Sequence, residues 1–338
     1  MELHSPLVSV ICAVYNGEKT VATSIDSVIA QTYPHWELIL VNDGSKDQTV
    51  DIINRYAAAD PRIILVNNAR NMGQTASLNE GVKAARGTYI ARIDADDFFA
   101  PDKLQQQVSF MEAHPEMALC GTNAVCADSD TGKETVISFP ETDQDIAAGM
   151  LTHSSIIHVS VLIRKTALDI AGEYNTGFHV AADYELWARF VKAGLPMYNL
   201  QEALVTFNFS SATFGRSNME RTRNEFLRVN IPYLFWAVQH TNHFTNLSVF
   251  SRLVVPVHIL TGKQILAMYN RLLPALFSKG GIGMFFRAGL LFLAAYRNRS
   301  SEEKIQTETP AGAAPGYASL LLIIYPLYAL LRKRVPQS

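Results

Sequence analysis

Cysteine is scarce in this chain of 338 residues: Cys12, Cys120 and Cys126 are the whole complement. Three cysteines make no even disulfide framework and none sits in a CxxC pair, so they read as small buried hydrophobes in a reducing compartment. Two phosphate-binding signatures are missing as well. No GxGxxG follows the first apolar segment and no GxxxxGK[ST] occurs anywhere, which argues against a dinucleotide dehydrogenase and a P-loop NTPase. The first apolar stretch, "PLVSVICAVYN", lacks a basic n-region and a cleavage site and reads as a buried strand, not a signal peptide. Charge is sparse too. At 18% charged and 48% hydrophobic residues the chain can build a large core, which excludes a disordered protein.

Acidic residues vanish between Glu225 and Glu302. Residues 1–225 hold 28 acidic and 17 basic side chains, a net of −11, whereas residues 226–338 hold 3 and 12, a net of +9. The two parts are expected to face different surroundings, the basic apolar one an anionic membrane surface. An acidic amino-terminal part with no aromatic-basic groove argues against a nucleic-acid partner.

What is present is an alternation. "LVSVICAVY", "ELILVND", "RIILVNN" and "TYIARID" read as strands, separated by helical spacing over residues 18–30, 48–58 and about 75–85. This βαβαβαβ order implies an α/β fold, a mostly parallel sheet flanked by helices. Ligands of such sheets bind outside the carboxyl ends of the strands, and those ends read "AVYNGE", "NDGS", "NNARNMG" and "DADD". After Pro101 the pattern becomes mixed. A helix over 102–114 is expected, then a strand in "ALCGTNAVCAD" with "TVISF" as its partner, the segment "HVSVLIRK", a helix over 182–194 and a strand "EALVTFNF".

The acidic run Asp94, Asp96 and Asp97 at the end of the fourth strand needs a positive partner, because like charges held close together are costly. Strand alternation would turn Asp94 and Asp96 to one side and Asp97 to the other. Two carboxylates there suit a Mg²⁺ or Mn²⁺ ion that also grips phosphate oxygens. A solvated acidic turn is the plainer reading of DxD alone. Asp43, ending the second strand, is either a turn and cap residue or an acceptor for a base or ribose. Arg70, Asn71 and Gly73 lie where the third strand ends, and glycine there would permit close backbone approach to a ligand.

Together, "VSVICAVYNGEKTVATSIDSVIAQTYPHWELILVNDGSKDQT", "NNARNMGQTASLNEGVKAARGTYIARIDADD" and "AADYELWARFVKAG" resemble the family 2 inverting glycosyltransferases of bacterial surface-polysaccharide type, over roughly residues 5 to 210. The resemblance implies a GT-A fold and an enzyme, a hexosyl- or N-acetylhexosaminyl-transferase. It implies nucleotide-sugar binding through Ala13, Tyr15, Asp43, Arg70, Asn71, Gly73, Arg92 and Asp94. It implies a Mg²⁺ or Mn²⁺ ion at Asp96 and Asp94, Asp96 being the more direct ligand, and Asp183 as catalytic base. Glu185 is the rival base, and His158, Glu185 and Trp187 are acceptor-side candidates. The implied partners are a nucleotide-sugar donor, a UDP-sugar by family habit, and a glycan or lipid-linked glycan acceptor. One departure leaves the third metal or pyrophosphate contact open: "VTFNFSSATFGRSN" has no histidine, and Arg216 does not align firmly with a phosphate-binding residue. Two alternatives stand beside this reading. A sugar nucleotidyltransferase needs a basic Gly-rich loop that "AVYNGEKT" lacks, and a non-catalytic nucleotide-binding assembly protein would have no need of the full aspartate set.

The expected organisation is therefore a GT-A catalytic domain over residues 1–225, with a nucleotide half to about residue 100 and an acceptor half from about 101. An apolar, basic helical extension follows over 226–299, then a linker over 300–316. A tail over 317–338, with "YASLLLIIYPLYALLRKR", reads as a membrane-surface anchor that would attach the protein to the cytoplasmic face of the membrane, an ordinary core or dimer-contact helix being the alternative.

Overall fold

The structure, a computed structural model, describes residues 5–151, 153–209 and 216–239. Strands β1 (Val8–Val14) and β2 (Trp36–Asn42) are buried at every position, as strands covered on both faces must be. They pair in parallel, and β3 (Ile63–Asn67) and β4 (Tyr89–Arg92) extend the parallel half of the sheet on either side. Helices α1 (Val21–Ile29), α2 (Thr49–Ala59) and α3 (Gln74–Ala84) are the crossovers. The two faces of β1 take different helices. Val10, Cys12 and Val14 share a core cluster with Val21 and Ile25 of α1 and Ile53 of α2. Ile11 points to the other face, where a Cβ on Gly81 of α3 would meet its Cγ2 at 2.3 Å. Only glycine lets α3 lie that close to the sheet.

The second half adds β5 (Phe98–Phe99), α4 (Lys103–Ala113), β6 (Leu119–Asp128), β7 (Glu134–Ile137), α5 (Asp143–Gly149), β8 (Leu162–Arg164), α6 (Lys165–Ala171), α7 (Ala182–Lys192), β9 (Met197–Phe209) and α8 (Arg216–Gln239). The sheet order is β3-β2-β1-β4-β8-β6-β9-β5, with β7 paired to β6. Strand β8 runs antiparallel to β4, and β6 and β9 pair in parallel with a bulge around Asn123. This order places the acidic turn after β4 beside the end of β9.

Helix boundaries expected from periodicity agree with the structure within three residues. The segment "HVSVLIRK" does not form one strand. His158–Ser160 is a single 3₁₀ turn and only Leu162–Arg164 is extended, because Ser160 Oγ donates to Ile157 O while accepting from Thr122 N. The expected boundary at residue 225 falls inside α8, and the first compact unit runs Met1–Trp236. The start of the expected helical extension, residues 226–239, is the end of α8, and from residue 240 onward the rest of that extension, the linker and the membrane-surface tail lie outside the described residues. Among the described residues no helix is long and apolar enough to cross a membrane.

Candidate active site

Four loops meet at the carboxyl ends of β1 to β4. The first two are laced together. Asn16 N donates to Ser45 Oγ at 3.0 Å, Lys46 N to Asn16 Oδ1 at 2.8 Å and Gly17 N to Thr49 Oγ1 at 2.8 Å. Asn16 takes φ = 52°, a left-handed value that asparagine tolerates better than most residues. Its role was not foreseen from the sequence, although a turn-prone "YNGE" after a buried strand is a usable signal.

Asp43 holds the third loop. Its carboxylate is buried and accepts from Asn68 Nδ2 at 3.0 Å, Met72 N at 2.8 Å and Gly73 N at 2.8 Å. Asp43 thus holds the β3–α3 loop, a long-range partner and not its own turn or the start of α2, and it also lines the cleft. Gly73 takes φ = 89° and ψ = 155°, a region essentially restricted to glycine. At Gly44, φ = 77°, a Cβ would meet Asn71 N at 2.9 Å, so at this point the second and third loops touch backbone to backbone.

Between these loops and the turn after β4 opens a cleft of about 560 Å³. Of the sequence candidates, Ala13, Tyr15, Asn71 and Gly73 line it along with Asp43, and Asp94 and Asp96 form its acidic wall. Tyr15 is 48% exposed. Arg70 is exposed on the third loop and does not line the cleft.

The acidic run is a turn, not a strand continuation, since β4 ends at Arg92 and Asp97 N donates to Asp94 O at 3.2 Å. Asp94 accepts from the buried Arg92 guanidinium and from Gln74 Nε2 at 2.9 Å. So the first positive partner of this cluster is Arg92, a protein side chain that does not line the cleft. Asp97 turns inward, where Asn208 N of β9 donates to it at 3.1 Å. Burial, with Asp94 and Asp96 adding repulsion, pushes its carboxyl up to about 8. Asp96 is raised too, by burial first and Asp94 second. A residue with too little positive charge around it on a cleft wall suits a cation. Among the described residues no three His, Cys, Asp or Glu side chains are grouped to hold a metal alone, so the remaining ligands would be phosphate oxygens and water.

Asp183 is the second residue of α7, partly buried. Burial raises its carboxyl to about 6, against the lowering pull of the Tyr184 N–H and Arg92, while Asp94 repels it. It shares the electrostatic environment of Arg92, Asp94 and Tyr174.

The acceptor-side candidates separate. Glu185 is held by Arg189, whose Nε and Nη2 donate to it at 3.0 and 2.8 Å, while Arg189 also caps Ala171 O and Glu173 O. That pairs Glu185 with Arg189 in the packing of α7, and it does not line the cleft. Trp187 is fully buried, edge-on to His158 and Phe190, so its face is not open for a sugar to stack on. His158 Nε2 lies 2.8 Å from Tyr174 Oη, and burial followed by Arg92 holds its ring neutral, well below the usual histidine range. Arg216 opens α8, and its side chain lies outside the described part.

This fold and site have relatives. The model of "Glycosyl transferase family 2" matches residues 9–172. The amylovoran biosynthesis glycosyltransferase AmsE of Erwinia amylovora is 32% identical over 200 residues, 58% of this chain and 74% of that protein. EpsE of Bacillus subtilis (strain 168), provisionally named a glycosyltransferase, is 38% identical over 216 residues, 62% of this chain and 76% of its own. This chain belongs to glycosyltransferase family 2. Among solved structures, S. aureus TarS 1-349 in complex with UDP-GlcNAc superposes on this glycosyltransferase with a TM-score of 0.56 and 19% identity, covering 90% of this chain and 93% of that one. The mannosyltransferase PcManGT from Pyrobaculum calidifontis, in complex with GDP-Man and Mn²⁺, gives 0.50 and 16% over 89% of each. At such identities the likeness concerns the fold, and the family 2 enzyme has the GT-A architecture.

Proposed function

We propose that this glycosyltransferase moves a sugar from a nucleoside-diphosphate sugar, a UDP-sugar by preference, to a hydroxyl of a glycan or lipid-linked glycan, with inversion at the anomeric carbon. The observation that carries this reading is an open cleft with an acidic wall at Asp94 and Asp96; Asp183 does not line that cleft, but its carboxyl has raised basicity and feels the charges of Arg92 and Asp94. The complexes of TarS with UDP-GlcNAc and of PcManGT with GDP-Man and Mn²⁺ support a nucleotide-sugar donor and a divalent ion. The name of AmsE supports a role in polysaccharide assembly.

The residues divide the work as follows. Main-chain groups around Ala13–Tyr15 and the loop capped by Asp43 receive the nucleotide. Asp94 and Asp96 would hold Mg²⁺ or Mn²⁺, which when bound neutralises the diphosphate as it leaves. Asp183 accepts the proton of the acceptor hydroxyl while that oxygen attacks C1. The bond from C1 to the β-phosphate oxygen breaks, and the nucleoside diphosphate carries away the electron pair. Arg92 pairs with Asp94 before any ligand arrives. Attachment to the cytoplasmic face of a membrane belongs to the same reading and rests on the basic, apolar sequence beyond residue 226.

The test uses purified full-length chain, Mn²⁺ and a panel of UDP-glucose, UDP-galactose and UDP-N-acetylglucosamine, scored by donor hydrolysis and by thermal shift. A positioned base contributes roughly 10²–10⁴-fold, about 2.7–5.5 kcal/mol of barrier. Asp183→Asn is expected to lower turnover by that factor and leave UDP affinity within about twofold. Normal turnover in that variant would remove Asp183 from the role of base.

A further inference from the structure

Glu225 is the last acidic side chain before the acid-free stretch of the sequence, and it is spent on the backbone. It lies on α8, 5% exposed, far along the chain from every motif of the cleft. One of its carboxylate oxygens accepts three consecutive main-chain N–H groups: His179 and Val180 at 2.8 Å and Ala181 at 3.1 Å. Successive N–H groups converging on one point form a nest for an anion, and here the anion is the protein's own glutamate. Ala181 is the N-cap of α7, and its carbonyl accepts the helical bond from Glu185 N at 3.0 Å. Asp183 stands two residues beyond that cap.

The rest of α8 grips the same segment on both sides of Asp183. Arg228 donates to Gly177 O at 3.1 Å and lies 4.3 Å over the Phe178 ring. Asn230 donates to Tyr184 Oη at 2.9 Å, and Phe226 stacks on the Tyr184 ring at 4.9 Å. From the opposite side α3 holds it, through Thr75 Oγ1 to Phe178 O at 2.8 Å and Asn79 Nδ2 to Tyr174 O at 2.9 Å. Residues 175–177, 179 and 180 are themselves exposed, so without these clamps the approach to α7 has little packing to define it.

We propose that Glu225 is a positioning residue for catalysis, which sets the start of α7 and thereby the place of the Asp183 carboxylate. This rests on Asp183 being the base. Glu225 does not line the cleft, so its loss acts on the chemical step and spares nucleotide binding. Misplacing a reacting group by about 1 Å can cost about 10²-fold in rate.

The full-length chain is assayed with Mn²⁺ and whichever UDP-sugar of the panel it hydrolyses fastest, in wild type, Glu225→Ala, Glu225→Gln and Asp183→Asn forms. Glu225→Gln keeps an acceptor oxygen in place but loses the charge that holds three donors. The expected order of kcat is wild type, then Gln reduced about 3–10-fold, then Ala reduced about 10–100-fold, with donor KM and the Kd for UDP within about twofold throughout. A Gln variant with wild-type kcat overturns the proposal, as does an Ala variant whose kcat, UDP affinity and Tm decline together. If the Ala variant does not fold, the Gln variant decides alone. Normal turnover by Asp183→Asn would instead overturn the assignment of the base, whatever the Glu225 variants do.

Discussion

Arg92, the last residue of β4, donates to Asp94 two residues further on, so the acidic turn after β4 carries its own buried counter-ion. Arg92 is 4% exposed, and Asp94 above all favours its charged form against the cost of burial. A metal arriving at Asp94 therefore competes with a guanidinium that is already there. Arg92→Met is expected to lose about 2–4 kcal/mol of stability, since it leaves carboxylates facing each other with no cation. It is also expected to bind Mn²⁺ more tightly than wild type in the absence of nucleotide. Urea unfolding and Mn²⁺ calorimetry read the two effects, and weaker Mn²⁺ binding in a folded variant would contradict the competition.

Asp43 is expected to act through the loop it caps. In Asp43→Asn one oxygen becomes an amide that cannot accept, leaving a Met72 or Gly73 N–H without its partner. The expected loss is about 1–3 kcal/mol of stability, together with a weakened Kd for UDP because Asn71 and Gly73 line the cleft. A variant with wild-type UDP affinity and lowered Tm would confine Asp43 to structure.

The pH profile of donor hydrolysis should carry an acid limb near the value of Asp183. Burial raises that carboxyl to about 6, with Asp94 reinforcing the shift and Arg92 opposing it. A base works when deprotonated, so kcat is expected to be flat above about pH 7 and to fall tenfold per unit below about 6. His158 is neutral throughout this range and does not produce the limb. The profile of His158→Gln should keep it, and a limb that disappears with His158 would point to a different proton acceptor.

Residues 300–338 are expected to contribute to attachment at anionic lipid. Full-length chain and a chain ending at residue 299 are compared by flotation with vesicles containing phosphatidylserine. Loss of flotation on truncation supports the tail as anchor, whereas unchanged flotation assigns the attachment to residues 226–299 or to none.

The parallel half of the sheet was legible because burial on both faces leaves little choice of residue. "VSVICAV" and "WELILVN" are apolar enough to announce themselves, and the helices between them follow the 3.6-residue period. The polar tips were legible for the same reason: aspartates and glycines at the ends of such strands have no core to join. The mixed half was harder. The turn at His158–Ser160 depends on Thr122 and Gln107 reaching Ser160 from other elements, and no local pattern carries that.

By itself the amino-acid sequence determined the α/β class, the loops that make the cleft and the identity of its aspartates, because these follow from local periodicity and from where charge is tolerated. Only the tertiary structure decided what each charge faces. Arg92 meets Asp94 across a local turn, but Asp97 meets β9, Glu185 meets Arg189 instead of the cleft, Trp187 closes into the core, and Glu225 reaches back to the start of α7. Hydrogen bonds and electrostatic partners act within a few ångströms in space, and those distances come into being only when distant segments pack.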